Sequence, residues 1–133
     1  MSSRVFIRTL KLLFALLLLS LCSCGKFEEV NMGYPEVVIF SDNGGVETIS
    51  VEDAKPFFSI TIIDYNTAGE GMYYSNEGSG GYCEYEWLRV ETEADNSTLM
   101  RVIAQPNITG EPRALWIELY SGYEYHVIKV VQL

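Results

Sequence analysis

Histidine is all but missing from this 133-residue chain, since His126 is the only one; cysteine occurs three times, and nine basic side chains face 18 acidic ones. Each scarcity removes a class of function. One histidine cannot build a multi-histidine metal site or the H-E-x-x-H helix of a zinc hydrolase, and neither G-x-S-x-G nor a phosphate-binding loop occurs. Ser41-Asp42-Asn43-Gly44 lacks the ligand spacing of an EF-hand and reads as a turn, so no metal and no cofactor is expected. A glycosidase-like carboxylate pair needs a set separation in a cleft, which a small β-domain rarely offers. The chain is therefore not expected to be an enzyme. Also lacking are an apolar run long enough to span a bilayer and, in the body of the chain, apolar residues at helical spacing through three turns.

What is present begins with a leader. Arg4, Arg8 and Lys11 precede Leu12 to Cys22, an apolar run broken only by Ser20. As a helix, about 11 residues at ~1.5 Å each reach ~17 Å, far less than the ~30 Å hydrocarbon core. A basic start followed by a short apolar stretch is the pattern of a secretory signal. Leu21-Cys22-Ser23-Cys24 resembles the bacterial lipobox, in which an aliphatic residue and two small ones precede a cysteine that is lipidated as the signal is removed. Ser23 supplies the small side chain before the cut and bulky Leu21 would not, so Cys24 is the expected lipidation site and residues 1–23 the signal peptide. Residues 24–36 would then be a lipidated tether and 37–133 the folded domain. Lys26, Glu28 and Glu29, interrupted by Phe27, are similar to the charged tag that some Gram-negative gut bacteria place after the lipidated cysteine of surface-exported lipoproteins. An outer-membrane lipoprotein exposed at the cell surface is the expectation, with the periplasmic face as the alternative and the lipid as the only membrane anchor.

Three of the nine basic residues lie before Cys24 and all 18 acidic ones after it, so the side chains beyond residue 23 sum to −12. Phosphates are repelled by such a surface, which excludes nucleic acid as a partner. The 110 residues from Cys24 on suit one domain. With Cys22 cleaved and Cys24 acylated, Cys83 has no partner for an intramolecular disulfide. Carboxylates beside it in Tyr82-Cys83-Glu84-Tyr85-Glu86 disfavour a thiolate, and the residue reads as inert.

Strand signals fill the remainder. Val37 to Phe40 is β-rich, Ser41 to Gly45 is dense in turn formers, and Val46 to Val51 alternates. Phe57 to Ile63 places Phe58, Ile60 and Ile62 on one face. Tyr85 to Glu91, Thr98 to Ala104, Arg113 to Tyr120 and Tyr123 to Gln132 follow. The pattern is that of an all-β sandwich. A two-residue turn at Ser121-Gly122 pairs residues whose numbers sum to 243, with Leu115 opposite Ile128, Trp116 opposite Val127 and His126 opposite Ile117. Leu115, Ile117 and Leu119 then face the core. Trp116, Glu118, Tyr120, Tyr123, Tyr125 and Lys129 share the other face, a solvent face unusually rich in aromatics. His126 falls nearer the core and reads as structural.

Gly44-Gly45 after the first strand, Trp87-Leu88-Arg89-Val90, Asn107-Ile108-Thr109-Gly110-Glu111-Pro112-Arg113 and the closing Val130-Val131-Gln132 follow the order seen in BACON (Bacteroidetes-associated carbohydrate-binding often N-terminal) domains. The chain resembles that family over about residues 37 to 132. The resemblance implies an immunoglobulin-like sandwich of about seven strands, with Trp87 in the core, and a carbohydrate-binding role inferred from the enzymes such domains accompany. This chain carries no catalytic neighbour, and residues 64–86 form an insertion before Trp87. Tyr73, Tyr74 and Tyr82 of that insertion are suited to stacking on sugar rings, with Asn76 and Glu77 to bond hydroxyls; the alternative is a small hairpin packed over the sandwich. The candidate carbohydrate contacts are Trp116, Tyr120, Tyr123, Tyr125, Tyr73 and Tyr74, with neutral mucin-type or dietary glycans preferred to strongly sulfated ones. The alternative is a spacer or protein–protein interaction domain whose partner is another envelope protein.

Overall fold

The computed structural model describes residues 3–21, 25–53, 57, 59–70, 74–75, 81–93 and 96–133, with the backbone alone for 18–21, 74–75 and 96–98. Ser3–Leu21 forms helix α1. Among the described residues no helix is long and apolar enough to cross a membrane. Cys22 and Cys24 lie outside the described residues, as does Phe58.

Among the described residues eleven strands follow: β1 (Glu28–Glu29), β2 (Val37–Phe40), β3 (Gly45–Ser50), β4 (Ser59–Asp64), β5 (Gly69–Glu70), β6 (Tyr74–Ser75), β7 (Gly81–Tyr85), β8 (Leu88–Glu93), β9 (Asn96–Ala104), β10 (Arg113–Ser121) and β11 (Glu124–Gln132). They form two sheets. The first runs β1-β11-β10-β4-β5, with β2 also on β11 and β6 also on β4; the second runs β3-β9-β8-β7. Alternation along each strand decides what lies between them. Ile60, Ile62, Leu115, Ile117, Leu119, Ile128 and Val130 of the first sheet meet Cys83, Leu88, Val90, Met100 and Val102 of the second in one buried cluster. Each such aliphatic side chain contributes about 1.5–3 kcal/mol by leaving water. The protein is an all-β sandwich.

The β10–β11 hairpin has its expected faces but not its expected register. Ser121 stays in the strand opposite Glu124, Ile117 faces Ile128, Trp116 faces Lys129 and Leu119 faces His126, so paired numbers sum to 245. The loop is Gly122-Tyr123, with Gly122 at φ 63, as a II′ turn requires of its first central residue. Sliding the loop by one position changes the sum by two and preserves parity. Leu115, Ile117 and Leu119 are therefore core as expected, while Tyr123 moves off the face onto the tip.

Three other expectations are revised. The strand expected over Tyr85 to Glu91 is two strands, because Glu86-Trp87 forms a tight turn with Glu86 at φ 51; Trp87 is nonetheless core, at 6% exposure. Within Val46 to Val51 only Ile49 is fully buried, since β3 is an edge strand. The segment expected to be a tether is fastened to the sandwich: β1 and β2 both pair with β11 in parallel. Between them the chain leaves the edge and buries Met32 and Tyr34 in the core. Burial pushes the Tyr34 phenol up to about 12. Parts of the insertion are also strand: β5 and β6 lie on β4, and β7 edges the second sheet.

The residues carrying the family resemblance meet at one end of the sandwich. Gln132 is fully buried. Its Nε2 donates to the carbonyls of Gln105 (2.7 Å) and Ser41 (3.2 Å), and its Oε1 accepts from Arg113 Nε at 2.8 Å. The Arg113 guanidinium lies 4.7 Å over the Trp87 ring. In the adjoining turn, Asn107 Nδ2 donates to the Glu111 and Leu133 carbonyls, and Asn107 Oδ1 accepts from the Thr109 amide at 3.1 Å. Backbone carbonyls that no strand pairs thus find side-chain donors.

Candidate functional site

The outer face of the first sheet is a grid set by strand register. Trp116, Glu118 and Tyr120 of β10 lie between Ile63, Thr61 and Ser59 of β4 and Lys129, Val127 and Tyr125 of β11. Tyr65, two residues past Ile63, folds over Trp116, with ring centroids 4.9 Å apart and planes at 24°. Lys129 Nζ sits 5.7 Å from the Trp116 centroid on a cation–π contact. Glu118, expected in solvent, is only 6% exposed. Tyr65 OH donates to its Oε1 at 2.7 Å and Tyr120 OH to its Oε2. Burial, and then the bond to Glu118, pushes both phenols well above the ordinary tyrosine range, so they stay protonated donors. The buried Glu118 side chain ties the two aromatic groups together.

The second group lies toward the hairpin tip. Tyr120 and Tyr125 stack at 5.4 Å, and Phe27 meets Tyr120 edge-on at 5.7 Å and Tyr123 at 5.8 Å. Tyr120 and Tyr125 cover one another and are half-buried, whereas Tyr123 is 65% exposed. Of the other named candidates, Tyr73 lies outside the described residues, and Tyr74 is described only as backbone, opposite Ile60 in β6.

A groove of about 650 Å³ opens beside Trp116 and Tyr65. It lies where the edge strand on β11 is interrupted, so Glu29, Asn31 and Glu36 of the N-terminal segment line it together with Val127 and Lys129 of β11. His126 holds that segment in place. Its Nδ1 accepts the Met32 amide at 3.1 Å, which fixes the proton on Nε2, 3.1 Å from the Pro35 carbonyl that receives it. Buried at 3% exposure with both nitrogens engaged, His126 is a bracket, as its core-side position in the sequence suggested. The groove thus joins an apolar ring surface to two carboxylates, one amide and one ammonium, a set suited to a hydroxyl-rich ligand. Among the described residues no group of three or more His, Cys, Asp or Glu is placed to hold a metal ion.

The outer face of the second sheet is engaged with itself. Arg89 bonds Glu91 at 2.8 Å and Glu84 at 3.1 Å and covers the Tyr82 ring at 3.9 Å, while Arg101 pairs with Glu91. The Arg89 guanidinium, followed by Arg101, holds the Glu91 carboxyl below its ordinary range. Inside the sandwich, burial pushes the Cys83 thiol up, which keeps it protonated.

Tyr65, Asn31 and Glu36 are not among the residues the sequence points to, and Phe27 and Glu29 enter it only with the charged tag after Cys24. Tyr65 carries a usable signal, since it continues the parity of Ile63 past the strand end. The groove residues carry none, because they approach Trp116 only through the parallel pairing of β1 and β2.

No protein-family model and no curated protein matches the chain. A solved NMR structure of a protein from Bacteroides thetaiotaomicron is similar to it, with a TM-score of 0.51, 18% sequence identity, and coverage of 80% of this chain and 84% of that one. At that identity the likeness speaks to the fold alone.

Proposed function

We propose that the protein is a non-enzymatic cell-envelope lipoprotein, anchored through Cys24 to the outer membrane and exposed at the cell surface, whose BACON-like, immunoglobulin-like domain binds carbohydrate in the groove beside Trp116. The observation that carries this reading is the groove itself: a stacked Tyr65–Trp116 pair with Lys129, Glu29, Glu36 and Asn31 at its border. An aromatic floor takes the apolar face of a sugar ring, and the carboxylates, amide and ammonium take its hydroxyls. The family reading is supported by the way Trp87, Arg113 and Gln132, scattered in sequence, meet in one linked cluster, with Asn107 fastening the adjoining turn. With excess negative charge and one lysine at the groove, neutral glycans bind better than strongly sulfated ones.

The test is a titration of the chain from Gly25 onward with neutral and acidic mucin-type glycans, followed by tryptophan fluorescence and NMR shifts. Dissociation constants in the millimolar to micromolar range are expected, about 4 to 8 kcal/mol, with the response abolished by Trp116→Ala. A domain perturbed by no glycan at Trp116 or Tyr65 sinks the reading. A second reading, a docking domain for an envelope protein, is favoured by the exposed apolar side chains Ile39, Ile108 and Leu133, which hydrogen bonds of the adjoining backbone bring to the end of the sandwich opposite the β10–β11 tip. Recovery of a co-encoded envelope protein in place of a glycan, lost with Ile108→Asp, supports it.

A further inference from the structure

The N-terminal segment first meets the sandwich at the β10–β11 tip. The Glu28 amide donates to the Tyr123 carbonyl at 2.8 Å, and β1 then runs up β11 from Glu124. Gly25 already lies against the Tyr123 ring, so close that a Cβ there would sit 3.3 Å from the ring's Cδ1 and Cε1. Three residues lie between Cys24 and Glu28, and four Cα–Cα steps of at most ~3.6 Å each keep the tip within about 14 Å of the α-carbon of Cys24. That distance is comparable with the headgroup layer of one leaflet, roughly 5–8 Å thick, plus a side chain.

Two large rings are exposed there. Tyr123 is 65% and Phe27 60% exposed, and their centroids lie 5.8 Å apart. The loop residues Gly122 and Tyr123 carry no charge, and Lys26, Glu28 and Glu124 flank them. A tyrosine is favoured at the depth of lipid headgroups, where its ring is apolar-solvated and its hydroxyl is wet. A zwitterionic surface has no net charge to repel the flanking Glu28 and Glu124.

We propose that Phe27 and Tyr123 form a contact with the headgroup layer of the membrane that holds the anchor, and that this contact stands the sandwich on its β10–β11 tip. The proposal rests on the lipid-anchor reading of Cys24. The partner is a zwitterionic phospholipid surface. At ~3.3 Å per residue, β10 carries Trp116 about 17 Å above Ser121, so the groove opens sideways, clear of the headgroups. The tip aromatics and the groove aromatics then have different tasks, the first orienting the body and the second meeting ligand.

The experiment uses the processed lipoprotein, with acylation of Cys24 verified by mass, reconstituted into phosphatidylcholine–phosphatidylethanolamine vesicles. Tyr123→Trp in a Trp116→Phe background makes residue 123 the reporter, with buried Trp87 as a constant. Relative to detergent-free protein carrying Cys24→Ala, its emission shifts to the blue, and nitroxide lipids labelled near the headgroup quench it more than lipids labelled deep in the chain. Trp116 in the parent protein is quenched by neither. An acylated protein whose residue 123 is no more quenched than Trp116 overturns the proposal and leaves the anchor standing. Absence of an acyl group on Cys24 overturns the anchor reading and the proposal with it.

Discussion

Replacing Gln132 with methionine keeps the length of the side chain and removes its amide, and the cost can be worked from the three bonds that amide makes. The bond from the Arg113 guanidinium, at 2.8 Å, involves a charged donor and is worth about 1.5–3 kcal/mol; the two from Nε2, to Gln105 and Ser41, are worth about 1 kcal/mol each. A thioether is more content in a fully buried position than an amide and returns roughly 1 kcal/mol. The net loss is about 2.5–4 kcal/mol. In a domain of this size 1 kcal/mol shifts the midpoint by about 4 °C, so Tm should fall by roughly 10–16 °C, measured by circular dichroism on the chain from Gly25. Because Arg113 shares the cluster, Arg113→Met and Gln132→Met should be non-additive by about 1–2 kcal/mol. A Gln132→Met protein within about 0.5 kcal/mol of the parent, or strict additivity of the pair, would refute the view that this end of the sandwich is fastened by one connected polar cluster.

The two tryptophans should separate sharply in urea. Trp87→Ala, at a nearly sealed position, should cost about 3–5 kcal/mol. Trp116→Ala, half-buried and losing chiefly its stack on Tyr65, should cost about 0.5–1.5 kcal/mol; equal losses would contradict the assignment of faces. Cys83, buried and with its thiol pushed up, should resist a thiol reagent in the native protein and react once the chain is unfolded, and labelling of native protein at the rate of free cysteine would count against it. Glu91 has a folded pKa depressed by Arg89 and Arg101. Its contribution is therefore fully present above the unfolded value of about 4.3 and is lost as pH falls through the folded one. Glu91→Gln should narrow the drop in urea midpoint between neutral and acid pH, and an undiminished drop would show that the pair does not matter to stability.

How much of this was legible in the sequence depended on whether the information was local. Leu115, Ile117 and Leu119 announced the core face of β10 because alternation is a property of one strand. The register two places away did not announce itself, because Gly122 serves a two-residue loop from either central position and only the pairing of Ser121 with Glu124 decides. Residues 25–35 read as a tether because they are polar and short of β-branched side chains. They are held by pairing with β11, by Met32 and Tyr34 in the core and by His126, which is 94 positions from the amide it accepts. The aromatic face was visible as a set. Its division into a groove pair and a tip cluster was not, since Tyr65 and Phe27, which effect the division, lie outside the strands that alternation identifies.

The parallel pairing of β1 and β2 with β11 also determines how the body answers force. The first strand and the last run side by side in one direction, so a pull on the N-terminal end and an opposite pull on the C-terminal end slide them past one another. Sliding loads the bonds of Glu28–Glu29 and of Val37–Phe40 to β11 together, whereas an antiparallel pair drawn from its open end would lose its bonds singly, in sequence, like a zip. A load applied between residue 25 and the C-terminal end of β11 would therefore meet all of these bonds at once and not one after another.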